Sequence, residues 1–198
     1  VYKVGDVIHD FEITDIDGKT HKLSDMLKEK DMVMLNFWYR DCSNCALEFP
    51  YINTVYADYK DSIEILAIND YPSDTADTVR AYPEFLGEDV QMPLFKVGNG
   101  ENDLTLSRFE SEGYPTSVVI DRYGVICLIE IVSLDSEKKF TNLFERLTAE
   151  NYEQKLCPNG VDDIIVKAKP SEQMPSKEDI DAAVNQNGVT VTYRPEEN

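Results

Sequence analysis

A three-layer α/β/α fold around a central mixed sheet, with an N-terminal β-hairpin and a C-terminal extension, is predicted by three features of the 198-residue chain. Two nearly continuous apolar runs, residues 32–38 and 63–69, suit strands buried on both faces. The stretch between them has helical spacing, with Leu47, Tyr51, Val55 and Tyr59 recurring every fourth residue. Residues 116–121 and 125–132 then alternate as strands about the tight turn Arg122-Tyr123-Gly124. At 42% hydrophobic and 10% aromatic, the chain has enough apolar side chain to bury a core. That argues against end-to-end disorder despite a net charge of −19.

The elements follow in order. Phe11, Ile13 and Ile16 read as extended, Asp17-Gly18 as a hairpin turn, and residues 20–23 as the return strand. Ser24 is placed to cap a short helix reaching Lys28. The first apolar run ends at Tyr39-Arg40-Asp41, and Cys42-Ser43-Asn44-Cys45 follows at once. Residues 45–59 predict a helix kinked at Pro50, and residues 63–69 close a β-α-β unit around the cysteines. Residues 74–82 predict a short helix stopped by Pro83, 92–97 a short strand, and 104–109 a helical turn. Residues 135–151 predict an amphipathic helix with Phe140, Leu143, Phe144 and Leu147 on one face. The main domain spans residues 1–152 on this reading. In the extension, 153–198, residues 164–166 and 188–194 are strand-like and 176–185 helix-like.

The acidic charge is spread along the chain, and no cluster of Lys or Arg interrupts it. Phosphates are bound through a local basic excess, so neither a nucleic acid nor an anionic lipid surface is expected as a partner. No stretch approaches the ~18 apolar residues of a membrane span. The chain begins at Val1 without a Met or a basic-then-apolar leader, which leaves room for a signal or anchor removed upstream. Asp17-Gly18 and Asn99-Gly100 read as turns. His9 and His21 are isolated, with no metal or catalytic role expected.

The chemistry lies in the cysteines. In a CxxC at a strand-to-helix junction, the first cysteine meets the helix N-terminus, where N–H groups and the dipole stabilise a thiolate. The second, one turn later, is within disulfide reach and can resolve a mixed disulfide. Gly113-Tyr114-Pro115-Thr116 places an X-Pro bond just before a strand, and such a bond, when cis, exposes backbone groups that can pair with an extended substrate. A four-cysteine zinc site would need a second close pair, which Cys127 and Cys157 do not make. Cys127 is expected as a core thiol sharing a strand face with Ile129 and Ile131, pairing with Cys157 being the lesser alternative.

These motifs stand in a longer series. Val4-Gly5-Asp6, Asp10-Phe11, Asp17-Gly18-Lys19, Leu23-Ser24-Asp25, Asn36-Phe37-Trp38, Cys42-Ser43-Asn44-Cys45, Glu48-Phe49-Pro50, Gly113-Tyr114-Pro115-Thr116 and Asp121-Arg122-Tyr123-Gly124 occur in sequence. In this, residues 4–150 resemble the TlpA/ResA family of thioredoxin-like thiol–disulfide oxidoreductases, within the AhpC/TSA-Redoxin superfamily. The resemblance implies a thioredoxin-like fold, an exposed nucleophile at Cys42, a buried resolving thiol at Cys45, and proton transfer assisted by Glu48. It implies a cis-proline at Pro115, with Tyr114 and Pro115 at the substrate site. Trp38 and Tyr39, by their place beside the CxxC, are expected to line it too, packing alone being the alternative. Asn36 matches the asparagine these proteins carry where thioredoxin has a buried aspartate. Extracytoplasmic work, periplasmic or at the cell surface, is implied, with protein disulfides or dithiols as substrates. So is re-reduction by a membrane electron donor of the CcdA/DsbD type, without a cofactor.

The chain also departs from the family. Asp41 stands where relatives carry an aromatic residue, and a carboxylate there disfavours the Cys42 thiolate unless Arg40 offsets it. Ser43-Asn44 lacks the usual proline, and Tyr114 is bulkier than the usual residue before the cis-proline. Reductant is the direction expected. Two rivals are weighed against it: a redox-inactive binding module of the same fold, kept open by Asp41, and a peroxiredoxin-like thiol peroxidase. The peroxidase signature P-x3-T-x2-C would require Pro and Thr where this chain has Leu35 and Tyr39.

Overall fold

The computed structural model describes residues 1–98, 104–130, 137–148, 154–156 and 164–166. It opens with the expected hairpin, β1 (Glu12–Thr14) antiparallel to β2 (Thr20–Lys22), turning through Gly18 at φ 87°. Inside the turn His21 is not isolated. Its Nε2 lies 2.8 Å from Asp15 Oδ2, and both side chains are buried. Burial opposes ionisation of Asp15, but hydrogen bonds from His21 and the backbone of Lys19 and Asp17 outweigh it and hold the carboxyl below its usual range.

Helix α1 (Leu23–Glu29) begins one residue before the expected cap. Ser24 is already inside it, and the capping carboxylate comes from Asp10. One Asp10 oxygen accepts the Ser24 N–H at 2.8 Å, and the other accepts its hydroxyl at 2.7 Å. An orphan first-turn donor needs an acceptor, and a side chain distant in sequence serves as well as a local one.

The main sheet contains β3 (Met32–Phe37), β4 (Ile63–Asn69), β5 (Leu94–Lys96), β6 (Thr116–Asp121) and β7 (Ile126–Glu130), in the spatial order β5-β4-β3-β6-β7. Strands β3, β4 and β5 run parallel, and β6 and β7 are antiparallel to their neighbours, so the sheet is mixed with β3 at its centre. Every residue of β3 is buried. Its period-two alternation feeds two cores: Met32, Met34 and Trp38 face one, while Val33, Leu35 and Phe37 face the other. Helices α2 (Ser43–Tyr59), α3 (Ala76–Leu86) and α4 (Glu137–Thr148) cover the first face. The N-terminal segment, α1 and a 3-10 turn (Leu106–Arg108) cover the second. This is the expected α/β/α sandwich.

Three details correct the sequence reading. The four-residue stripe on α2 is only half turned to the core: Leu47 is 68% exposed and Tyr51 38%, whereas Val55 is buried with Cys45, Phe49, Ile52 and Tyr56, and Tyr59 packs against the same cluster. Pro50 lies inside the helix, as expected. Pro83 does not stop α3. One missing N–H is tolerated while Val79 and Tyr82 bury that face, and the helix ends instead at Gly87, φ 68°, where the N–H groups of Gly87 and Glu88 bond Glu84 and Pro83 carbonyls. Gly87→Ala should lower stability by about 1 kcal/mol through left-handed strain alone, since no atom lies within 4 Å of the added methyl. A urea midpoint shift at unchanged slope checks this.

The third correction concerns Cys127. The β6–β7 register shifts between Val119 and Ile120, so that Val119 pairs Leu128 while Ile120 pairs Ile126. Cys127 is the extra residue of this bulge. It is half-buried and packs on the α2–α4 side with Leu128, whereas Ile129 packs on the other side. Its Sγ lies 3.5 Å from the Val119 carbonyl. Cys157 lies outside the described residues, as do residues 176–185 and 188–194. Strands β8 (Gln154–Leu156) and β9 (Ile164–Val166) pair antiparallel, the latter as expected.

Candidate functional site

The C-terminal end of β3, at the centre of the sheet, delivers the chain through residues 38–41 into α2. Cys42 is the N-cap residue of that helix: its Sγ accepts the Cys45 N–H at 3.1 Å and its carbonyl accepts the Ala46 N–H at 3.0 Å. Cys42 and Cys45 are joined as a disulfide, with Cα atoms 5.2 Å apart. The sulfur that would carry negative charge on reduction thus already sits where the helix presents an N–H. Cys42 is less open than expected. In the oxidised pair it is 4% exposed and Cys45 2%, because Sγ turns inward onto the helix end.

Asn36 falls on the same face of β3 as Met34 and Trp38, opposite Ser117 of β6. There its Nδ2 donates to Glu48 Oε1 at 2.7 Å and to Ser117 Oγ at 3.2 Å. Glu48, 2% exposed, is therefore a buried acid of α2 one turn after Cys45, not a solvated helix residue. Glu48→Ala should destabilise the oxidised protein by about 1–3 kcal/mol, because it leaves one of the two buried Asn36 amide hydrogens without its acceptor, the other keeping Ser117. Glu48→Gln should cost less, since its amide keeps an acceptor oxygen. Guanidinium unfolding of the two variants provides the comparison.

The bond between Tyr114 and Pro115 is cis, as the sequence led us to expect. Tyr114 stands edge-on to Tyr39 at 5.3 Å and to Tyr71 at 6.0 Å, and Tyr39 stacks on Tyr71 at 4.4 Å. Tyr39 and Tyr114 pack against the cluster that contains both cysteines, and the Tyr39 carbonyl accepts the Cys42 N–H. The Tyr114 hydroxyl donates to Asp70 Oδ1 at 2.8 Å. Burial first, then this bond, raises its pKa well above the usual phenol value.

Tyr71 and Asp70 were not singled out from the sequence. Their signal is position: Asn69-Asp70-Tyr71 leaves the carboxyl end of β4 beside the end of β3, where sites on open α/β sheets collect. Trp38 departs from expectation. It is fully buried, stacked on Tyr82 at 4.1 Å and edge-on to Phe49 at 5.7 Å, so it underlies the site and has no surface to offer a substrate. Asp41 points to solvent, 81% exposed, 3.6 Å from the Arg40 guanidinium. Water and Arg40 both screen its charge from Cys42. Among the described residues, no group of three or more His, Cys, Asp or Glu is placed to hold a metal.

The model of the AhpC/TSA family matches residues 4–129. The chain belongs to that family. Within it, the chain is 33% identical over 124 residues to the thiol-disulfide oxidoreductase ResA of Geobacillus kaustophilus, a match covering 62% of this chain and 66% of that one. It is 30% identical over 148 residues to ResA of Bacillus anthracis, covering 74% and 79%. The thioredoxin domain of a thiol-disulfide oxidoreductase from Bacteroides vulgatus superposes with a TM-score of 0.56 at 21% identity, over 73% of this chain and 99% of that one. This ResA-like member of the AhpC/TSA family has a thioredoxin-like fold, and the chemistry its cysteine pair can perform is thiol–disulfide exchange.

Proposed function

We propose that the protein exchanges disulfides with protein thiols and acts as the reductant. The observation that carries this reading is the Cys42–Cys45 disulfide at the N-cap of α2. In the reduced protein, Cys42 thiolate attacks a substrate disulfide, forming a mixed disulfide and releasing one substrate thiol. Cys45 then attacks Cys42 Sγ, releases the second thiol and regenerates the internal disulfide, so two electrons pass to the substrate. Glu48 takes the Cys45 proton at that step, positioned by Asn36. Tyr39, Tyr114 and Pro115 form the surface against which the substrate lies. A membrane donor of the CcdA/DsbD type restores the dithiol. The site faces an extracytoplasmic space, a placement supported by Asn36 and by the ResA likeness. Among the described residues no helix is long and apolar enough to cross a membrane.

Titration in dithiothreitol redox buffers tests the proposal, read by alkylation of Cys42 and by fluorescence of Trp38, the single tryptophan of the chain. A reversible two-electron transition that Cys45→Ser abolishes is expected. No transition would overturn exchange in favour of a binding module. A potential near thioredoxin's, about −270 mV, supports the reductant direction, and one near −120 mV reverses that direction alone.

A further inference from the structure

The tyrosine triad beside the disulfide has more structure than a substrate rest requires. Tyr71 keeps 36% of its surface exposed, although its ring is stacked by Tyr39 and flanked by Tyr114. Asp70 clamps the group: Oδ1 receives the Tyr114 hydroxyl and Oδ2 the Leu106 N–H at 2.7 Å, tying the end of β4 to the segment before β6. Tyr114, whose phenol donates to the Asp70 carboxylate, has the more electron-rich ring, and Tyr71 beside it supplies the exposed aromatic surface; both suit a cation.

The surrounding charge agrees. Asp70 and Asp74 lie beside the triad: Asp70 holds the Tyr114 hydroxyl, and Asp74 donates its N–H to the Tyr71 carbonyl at 3.1 Å and accepts the Arg40 N–H at 2.8 Å. Arg40 and Lys96, the cations these contacts bring to it among the described residues, are committed elsewhere. Arg40 pairs with Asp41 and lies over Phe85 at 5.4 Å, and Lys96 Nζ donates to the carbonyls of Tyr71 and Val97.

We propose that Tyr39, Tyr71 and Tyr114, locked by Asp70, form a specificity subsite for a lysine or arginine side chain next to the substrate's reactive cysteine. The proposal rests on the disulfide-exchange reading. It makes Asp70 a positioning residue and Tyr71 a specificity-determining one.

The test uses reduced protein and disulfide-linked dimers of a short capped peptide with Lys or Leu immediately before its cysteine. Second-order oxidation rates are compared at low salt and in 0.5 M sodium chloride. The lysine peptide should react about five-fold faster than the leucine peptide. Most of that preference should persist in high salt, because ring contact is short-ranged. Tyr71→Ala should bring the ratio close to one, and Tyr71→Phe, which keeps the ring, should preserve it. The ratio is taken within one protein, so a general loss of activity in a variant cancels.

Equal rates for the two peptides would overturn the proposal, as would a preference that survives Tyr71→Ala. A preference lost in high salt would also overturn it, assigning selectivity to the net charge of −19. Dithiothreitol exchange by the same protein separates the two levels. Exchange without peptide selectivity removes the subsite alone, and no exchange removes the underlying reading with it.

Discussion

Cys42→Ser is expected to abolish disulfide exchange while leaving the fold intact. The remaining thiol, Cys45, lies inside the first turn of α2, past the N-cap position whose N–H groups favour a thiolate at Cys42, and should not take over the attack. Loss of the cross-link has a bounded cost, because a disulfide stabilises roughly with the logarithm of the loop it closes. A loop as short as this one contributes about 2 kcal/mol at most. Inactivity with a cooperative unfolding transition would therefore report chemistry rather than collapse. Cys45→Ser should behave differently. Its Cys42 still attacks, but nothing resolves the product, so a stable adduct with the peptide disulfide accumulates and appears as a mass shift that dithiothreitol removes. An adduct on Cys42→Ser, or turnover by Cys45→Ser, would reverse the assigned roles.

The sequence carried the backbone of this site further than its side-chain environment. The 32–38 run is apolar at nearly every position because β3 lies between two cores, and that pattern needs no partner to be read. Asn36 interrupts the run, and its reason lies across the fold in Glu48 and Ser117. Where the reading erred, the missing information was tertiary. The Leu47–Tyr51 spacing is as good a helical stripe as the buried one, and only the sheet decides which face it covers. A single-residue bulge in β7 moved Cys127 to the other side from Ile129. Asp10 caps α1 from fourteen residues before Ser24, a contact no local window registers. Tyr71 escaped notice because its importance comes from Tyr39 and Tyr114, which are distant in the chain and join it only where strand ends converge.

Trp38→Ala is expected to cost about 3–5 kcal/mol, a large share of a small domain's stability. Trp38 is fully buried, and its loss opens a cavity between Tyr82, Phe49 and the cysteine pair in one packed cluster. Its indole is nevertheless an imperfect fit. The Nε1–H finds no hydrogen-bond partner among the described residues, and neither does the hydroxyl of Tyr82 stacked on it. Each buried orphan carries a desolvation penalty of about 1–3 kcal/mol that the apolar contacts must offset. Burial, and then the charge of Asp74, push the Tyr82 phenol up to about 12, so the group stays neutral at ordinary pH and the penalty is that of a polar group, not a charge. Tyr82→Phe should therefore be neutral or stabilising, by up to about 1 kcal/mol, while keeping the stack on Trp38. Trp38→Phe should fall between, losing ring volume but also removing an orphan donor. Guanidinium unfolding of the three variants would give the order Ala, then Phe at position 38, then Phe at position 82, from least to most stable. If Tyr82→Phe proved as costly as Trp38→Ala, the hydroxyl must be satisfied in solution, and the slab beneath the disulfide would be a polar network instead of an apolar stack.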